Sequence, residues 1–166
     1  MNVPKAFERA LAVTIRANPD YSIGRETVIR CWQNLRNDPM WKETAIGDKT
    51  KRTIDIRATP PMNGENETSN FTTTAQIECR TKAEDDKDHA QICGAYTAVQ
   101  ETLDSLYDQY RDGETGDMLD AFKALLTADL GATFGLGNLS FGDASAPWED
   151  EGYNVIAVAF TMDYSR

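Results

Sequence analysis

Residues 71–80 read FTTTAQIECR. In an extended chain Phe71, Thr73, Ala75, Ile77 and Cys79 share one side, and Thr72, Thr74, Gln76, Glu78 and Arg80 share the other. A period of two, with one mostly apolar and one wholly polar row, fits an antiparallel strand covered on a single face. Residues 53–59 repeat the pattern, with Ile54, Ile56 and Ala58 opposed to Asp55 and Arg57. Later, Tyr153–Tyr164 sets Ile156, Val158, Phe160 and Met162 against the smaller Val155, Ala157, Ala159 and Thr161, which suggests cover on both faces. Leu139 and Phe141 give one more brief alternation.

Helices must cover the apolar rows. Ile92, Tyr96, Val99, Leu103, Leu106 and Tyr110 recur at steps of four and three, a continuous apolar stripe. Glu84, Asp85, Asp86 and Asp88 precede or open that helix, where its dipole and free amides favour negative charge. After Asp112-Gly113 and Gly116, a second stripe runs through Met118, Phe122, Leu125 and Leu126, and Gly131, Gly135 and Gly137 end that segment. Near the start, Pro4 suits a first helical turn, and Phe7, Leu11 and Ile15 line one face until Asn18-Pro19. A further helix is predicted over Gly24–Leu35, burying Val28, Trp32 and Leu35 and ended by Asp38-Pro39. Residues 40–52 read as a connector. PPMNGENETSN, residues 60–70, reads as a projecting loop, too long and polar for a tight hairpin. The expected fold is a two-layer α+β sandwich, an antiparallel sheet of about four strands with helices on one face. It forms one domain over residues 1–166, with a helical region at 1–52 and an α+β core at 53–166.

Composition agrees with that size. The chain has 166 residues, 40% hydrophobic and 27% charged, and folding at this length removes roughly 70% of the unfolded surface from water. No apolar run approaches the roughly 18–20 residues of a spanning helix, and the first residues, MNVPKAFERALAVTIRANPD, lack a signal-peptide layout. Cys31, Cys79 and Cys93 show no CxxC spacing, so a reducing cytoplasm is the expected place of synthesis. Charge is uneven. Ten Lys or Arg face six Asp or Glu in residues 1–52, whereas seven face twenty-one in residues 53–166. The acidic majority argues against specific nucleic-acid binding and against an anionic membrane surface. The split itself suits copies docking basic end to acidic end.

Motifs for chemistry are sparse. His89 is the single histidine, so any triad or Cys–His dyad would have to use it. Its four-residue spacing to Cys93 fits a helix start beside a small thiol better than a metal pair. Gly131-x-x-x-Gly135-x-Gly137 lacks the lysine of a phosphate loop, and EDDKD (84–88) lacks the spacing of a calcium loop. Three Asn-x-Ser/Thr matches, at Asn66, Asn70 and Asn138, have no secretion route to make them meaningful. No cofactor, no metal and no catalytic residue is expected.

The segment RTIDIRATPP (52–61), the polar loop after it, and NFTTTAQIECRTKAEDDKDHAQICGAYTAVQETLDSL (70–106) resemble the core of tail-completion or tail-terminator proteins of long-tailed bacteriophages. In that pattern a strand ends at an Arg-containing turn, a long loop follows, and a second strand closes on an acidic stretch opening the main helix. The run YNVIAVAFTMDYS (153–165) is similar to the family's final strand, while residues 111–152 are longer and more helical than the family pattern. The resemblance implies a structural virion subunit assembled in the host bacterial cytoplasm. It would form a ring, usually a hexamer, at the tail–neck junction, touching the tail tube protein and the neck or head-closure protein. DNA would pass through without being held. Arg57, Thr72, Thr74, Gln76 and Glu78 are the expected interface residues, and the 60–70 loop a candidate to order against a neighbour or the tube. A neck or head-closure protein of the same virion is an alternative.

One rival reading belongs to another class: an acidic inhibitor that mimics nucleic acid. Glu101, Asp104, Asp108, Asp112, Glu114, Asp117 and Asp120, interrupted only by Arg111, are its support. A small enzyme built around His89 is a third.

Overall fold

The computed structural model, which describes residues 2–18, 27–32, 52–59, 62–63 and 70–165, has one α-helix before the first strands and two between the fourth strand and the fifth. The elements are α1 (Val3–Arg16), β1 (Thr27–Cys31), β2 (Arg52–Ala58), β3 (Met62–Asn63), β4 (Asn70–Lys82), α2 (Ala90–Arg111), α3 (Asp117–Leu130), β5 (Gly135–Phe141), β6 (Trp148–Asp150) and β7 (Tyr153–Ser165). The strands form one sheet in the order β1-β2-β4-β7-β5, with β3 also paired to β4 and β6 to β7. Pairing is antiparallel except between β1 and β2. This is a mixed α+β architecture with helices packed on a mostly antiparallel sheet.

The long β4–β7 ladder runs from Asn70↔Ser165 to Lys82↔Tyr153 and sets both faces. On one face Cys79↔Ile156, Ile77↔Val158, Ala75↔Phe160, Thr73↔Met162 and Phe71↔Tyr164 are all buried. α1 and α2 pack on this side, and α3 packs against them. Phe7, Leu11 and Ile15 of α1, Ile92, Val99 and Leu106 of α2, and Phe122 and Leu126 of α3 have no exposed surface. Each such burial contributes about 1.5–3 kcal/mol. Aromatic contacts stitch the layers, Phe122 meeting Phe7 at 6.3 Å, Phe7 meeting Phe160 at 6.1 Å and Phe160 meeting Phe141 at 6.4 Å between ring centroids.

Polar groups fix the helix ends. Asn2 Oδ1 accepts the Lys5 amide at 3.0 Å to cap α1. Asn18, just past the end of α1, donates through Nδ2 to Ala98 O and Thr102 Oγ1 of α2. The Asp86 carboxylate, 2% exposed, accepts the Gln91 and Ile92 amides at 2.8 and 3.0 Å and the Thr81 hydroxyl at 2.7 Å. Asn154 of β7 reaches the same carboxylate and the Asp86 carbonyl. Burial pushes this acid up, but the combined hydrogen bonds outweigh it and hold its pKa below the ordinary value.

Several expectations change. The helix placed over Gly24–Leu35 is not formed where that stretch is described, because residues 27–31 are strand β1. Thr27, Val28 and Ile29 are β-branched and stiff at χ1, which favours an extended chain, and joining the edge of β2 buries Ile29. Among the described residues of 1–52, α1 is helical and 27–31 are strand, and Trp32 is 50% exposed rather than buried. Leu35, Asp38-Pro39 and the connector 40–51 lie outside the described residues. Among the described residues the sheet has seven strands, more than expected, two of them very short, and includes one parallel pair. Part of the 60–70 segment joins it, since Met62 and Asn63 pair with Thr72 and Phe71; residues 64–69 lie outside the described residues. Gly131 ends α3, but Gly135 and Gly137 belong to β5. Cover on the second face of β7 is partial, with Val155 fully buried and Ala159 exposed.

Candidate functional site

The alternation that buries one row of β4 turns Thr72, Thr74, Gln76 and Glu78 to the face away from the helices. Register brings Arg57 beside Gln76 and Asp55 beside Glu78. All five predicted interface residues therefore stand on one sheet face. They divide into two groups along it.

At one end, Arg57, Gln76 and Glu78 line an open depression of about 290 Å³, together with Arg30, Trp32, Asp55, Ile56 and Arg80. Arg30 grips Asp55 through Nε and Nη2 at 2.5 and 2.7 Å, a two-point pair across the parallel β1–β2 register. Arg80 Nη2 donates to Glu78 at 2.9 Å, and Arg80 also lies 3.9 Å from Asp55 and 3.6 Å from Asp150. Burial lowers the Arg80 pKa, but the Glu78 hydrogen bond and the neighbouring carboxylates raise it above its ordinary value. Arg57 behaves differently. Its guanidinium lies 4.7 Å from the centroid of the Trp32 ring, and among the described residues it makes no ion pair.

At the other end, hydroxyls dominate. Thr74 and Thr161 share a hydrogen bond at 3.0 Å, and Thr72 donates to Asp163 at 2.7 Å. Thr72 also lines a second depression of about 340 Å³ with Asn138, Asp163 and Ser165. A bulge between Leu136 and Asn138 bends β5 there. The bulged Gly137 lies close to β7: an added Cβ would come 3.2 Å from Asp163 O, and Tyr110 donates its hydroxyl to Gly137 O.

The arrangement suits recognition. Arginines stay charged at all physiological pH and cannot serve as general acids or bases. Burial pushes the Cys79 thiol, on the core side, well up, with Asp55 and Glu78 adding to the effect, so it is a poor nucleophile. His89 is exposed at the start of α2 with a left-handed backbone, φ 62°, and its carbonyl accepts the Cys93 amide. Within EDDKD the one inward acid, Asp86, is occupied by N–H and O–H donors. Among the described residues no three His, Cys, Asp or Glu side chains gather to hold a metal.

The helical side is electrically different. Asp104 and Asp108 of α2 lie one turn apart, with Glu101 before them and Asp112 after. Arg111 meets Asp108 at 3.3 Å and Asp112 at 3.2 Å. Burial and the neighbouring Asp108 both push the Asp104 carboxyl up.

Sequence reading missed Arg30 and Trp32 in the first depression, and Asp150 beside Arg80. The signal was present in part: read at a period of two, Val28, Arg30 and Trp32 share a side. No protein-family model matches the chain, and no curated protein matches it. Among the described residues no helix is long and apolar enough to cross a membrane.

Proposed function

We propose that this chain is a structural, non-enzymatic subunit of a long-tailed phage virion, a tail-terminator or tail-completion protein. Copies form a ring, a hexamer in this reading, at the head-proximal end of the tail. The ring joins the tail tube protein to the neck or head-closure protein and lets DNA pass. The observation that carries the reading is the unlikeness of the two sides of the molecule. One side is a sheet face where guanidinium, hydroxyl and amide groups stand among the carboxylates of Asp55, Glu78 and Asp163, and the other a helical layer with an acidic band. A head-to-tail ring requires two different, mutually complementary surfaces on each subunit, and an acidic lumen offers phosphates few contacts.

Mass in solution across a concentration series, alone and with tail tube protein, tests this, with negative-stain images of the products. Closed rings, free or capping tubes, are expected. A monomer under every condition overturns the reading. The acid band supports a second reading, the nucleic-acid mimic, in which the protein stays monomeric and competes with DNA for a DNA-binding protein. A head-closure protein would ring without capping tail tubes.

A further inference from the structure

We infer that Arg57, seated over the Trp32 ring on the open sheet face, is the socket that receives the Asp104 and Asp108 carboxylates on α2 of a second copy. This deepens the ring reading and rests on it.

Three observations converge. The first is an unspent cation. Arg30 and Arg80 are engaged by Asp55, Glu78 and Asp150, whereas Arg57, exposed beside them, meets only the indole face among the described residues. Stacking on an aromatic ring holds a guanidinium plane in place while its edge keeps N–H donors for a carboxylate. An exposed tryptophan paired with an arginine is also the residue chemistry in which binding energy concentrates.

The second is an unspent pair of anions. Asp104 and Asp108 repel one another one helical turn apart, and among the described residues Asp104 has no cation within ion-pair distance while Asp108 has only Arg111. A cation supplied from outside relieves both.

The third is placement. Ile92, Val99, Leu103 and Leu106 turn α2 toward the sheet, so its acids lie on the helical side of the slab and Arg57 on the opposite side. One copy cannot close this pair on itself. Two copies meeting front to back can, and each leaves a fresh socket and a fresh band for the next, the heterologous geometry from which a ring is built when the rotation between copies closes.

The test is a charge swap in the full chain, read by mass photometry and analytical centrifugation. Arg57→Glu alone and the Asp104→Lys/Asp108→Lys variant alone should each weaken self-association at least tenfold. Combining all three changes in one chain, or mixing the two variants, should restore it. Arg57→Lys, which keeps charge but loses the planar fork of N–H donors, should weaken it less than Arg57→Glu. Far-UV circular dichroism and melting of each variant verify folding; Arg57 and Asp108 are exposed, so native profiles are expected. Rings from wild type that persist unchanged in both reversed variants overturn this contact and leave the ring reading standing. Loss without rescue in the combined variant also overturns the pairing. A wild type that never self-associates overturns both.

Discussion

Asp86 shows how one residue's placement converts into a measurable dependence on acidity. Its carboxylate ties the end of β4, the start of α2 and Asn154 of β7 into one knot. Asp86→Ala removes the acceptor and strands buried donors, so urea unfolding should show a loss of about 2–4 kcal/mol. The sign with pH follows from its lowered pKa. A carboxylate whose folded value lies below the ordinary figure of about 3.9 contributes in full above that figure and loses its contribution as pH falls through the folded value. Melting temperature against pH should therefore drop below about pH 4 in the wild type and fall less steeply in Asp86→Asn. Cysteine reactivity separates in the same way. Cys93 is exposed and should react with a thiol reagent in the native protein, whereas Cys79, buried and shifted up, should react only on unfolding. Capping by Asp86 was legible as an acidic helix start, but which of four acids turned inward was not. That choice depends on Thr81 and Asn154, which lie in different strands.

Among the elements, the β6–β7 hairpin has a turn that is not optimised. Asp150 pairs with Tyr153, leaving a two-residue turn of Glu151 and Gly152 with φ of 50° and 86°. Positive φ at both positions is the geometry that Asn-Gly supplies best, so Glu151→Asn should raise the melting temperature, while Gly152→Val should lower it. The Glu-Gly spelling hides this hairpin, because glutamate is not a residue that signals a positive φ at the first turn position. A second junction depends on Gly116, where an added Cβ would fall 2.2 Å from Gln109 Oε1. That oxygen caps α3 by accepting the Leu119 amide at 2.8 Å. Gly116→Ala should therefore displace Gln109 and cost about 1–2 kcal/mol, visible as a lower urea midpoint. The long strands and the three helices among the described residues were readable because each carries enough repeats of its period to be unambiguous. β1 was not, because Val28 and Trp32 are four apart and fit a helix as well as a strand. Only its pairing with β2, distant in sequence, decides the matter. The same event exposes Trp32 and completes the site around Arg57, so the β4 half of that site could be read in advance and the β1 half could not.

Across the whole molecule, stability is concentrated where α1, β7 and β5 meet. Phe160 stacks with Phe7 and touches Phe141, with no exposed surface. Phe160→Ala should cost about 3–5 kcal/mol in chemical denaturation and leave the open sheet face chemically unchanged. The sheet order has a further consequence for how the chain is made. β7 is last in sequence among the described strands yet sits in the middle of the sheet, paired to β4 on one side and to β5 and β6 on the other. During translation, β4 must therefore wait with thirteen residues of unpaired backbone along one border until residue 153 and those after it have emerged. A naked border of that kind is sticky toward other nascent chains, so ribosome-bound intermediates of this protein should need chaperone shelter that the finished fold does not.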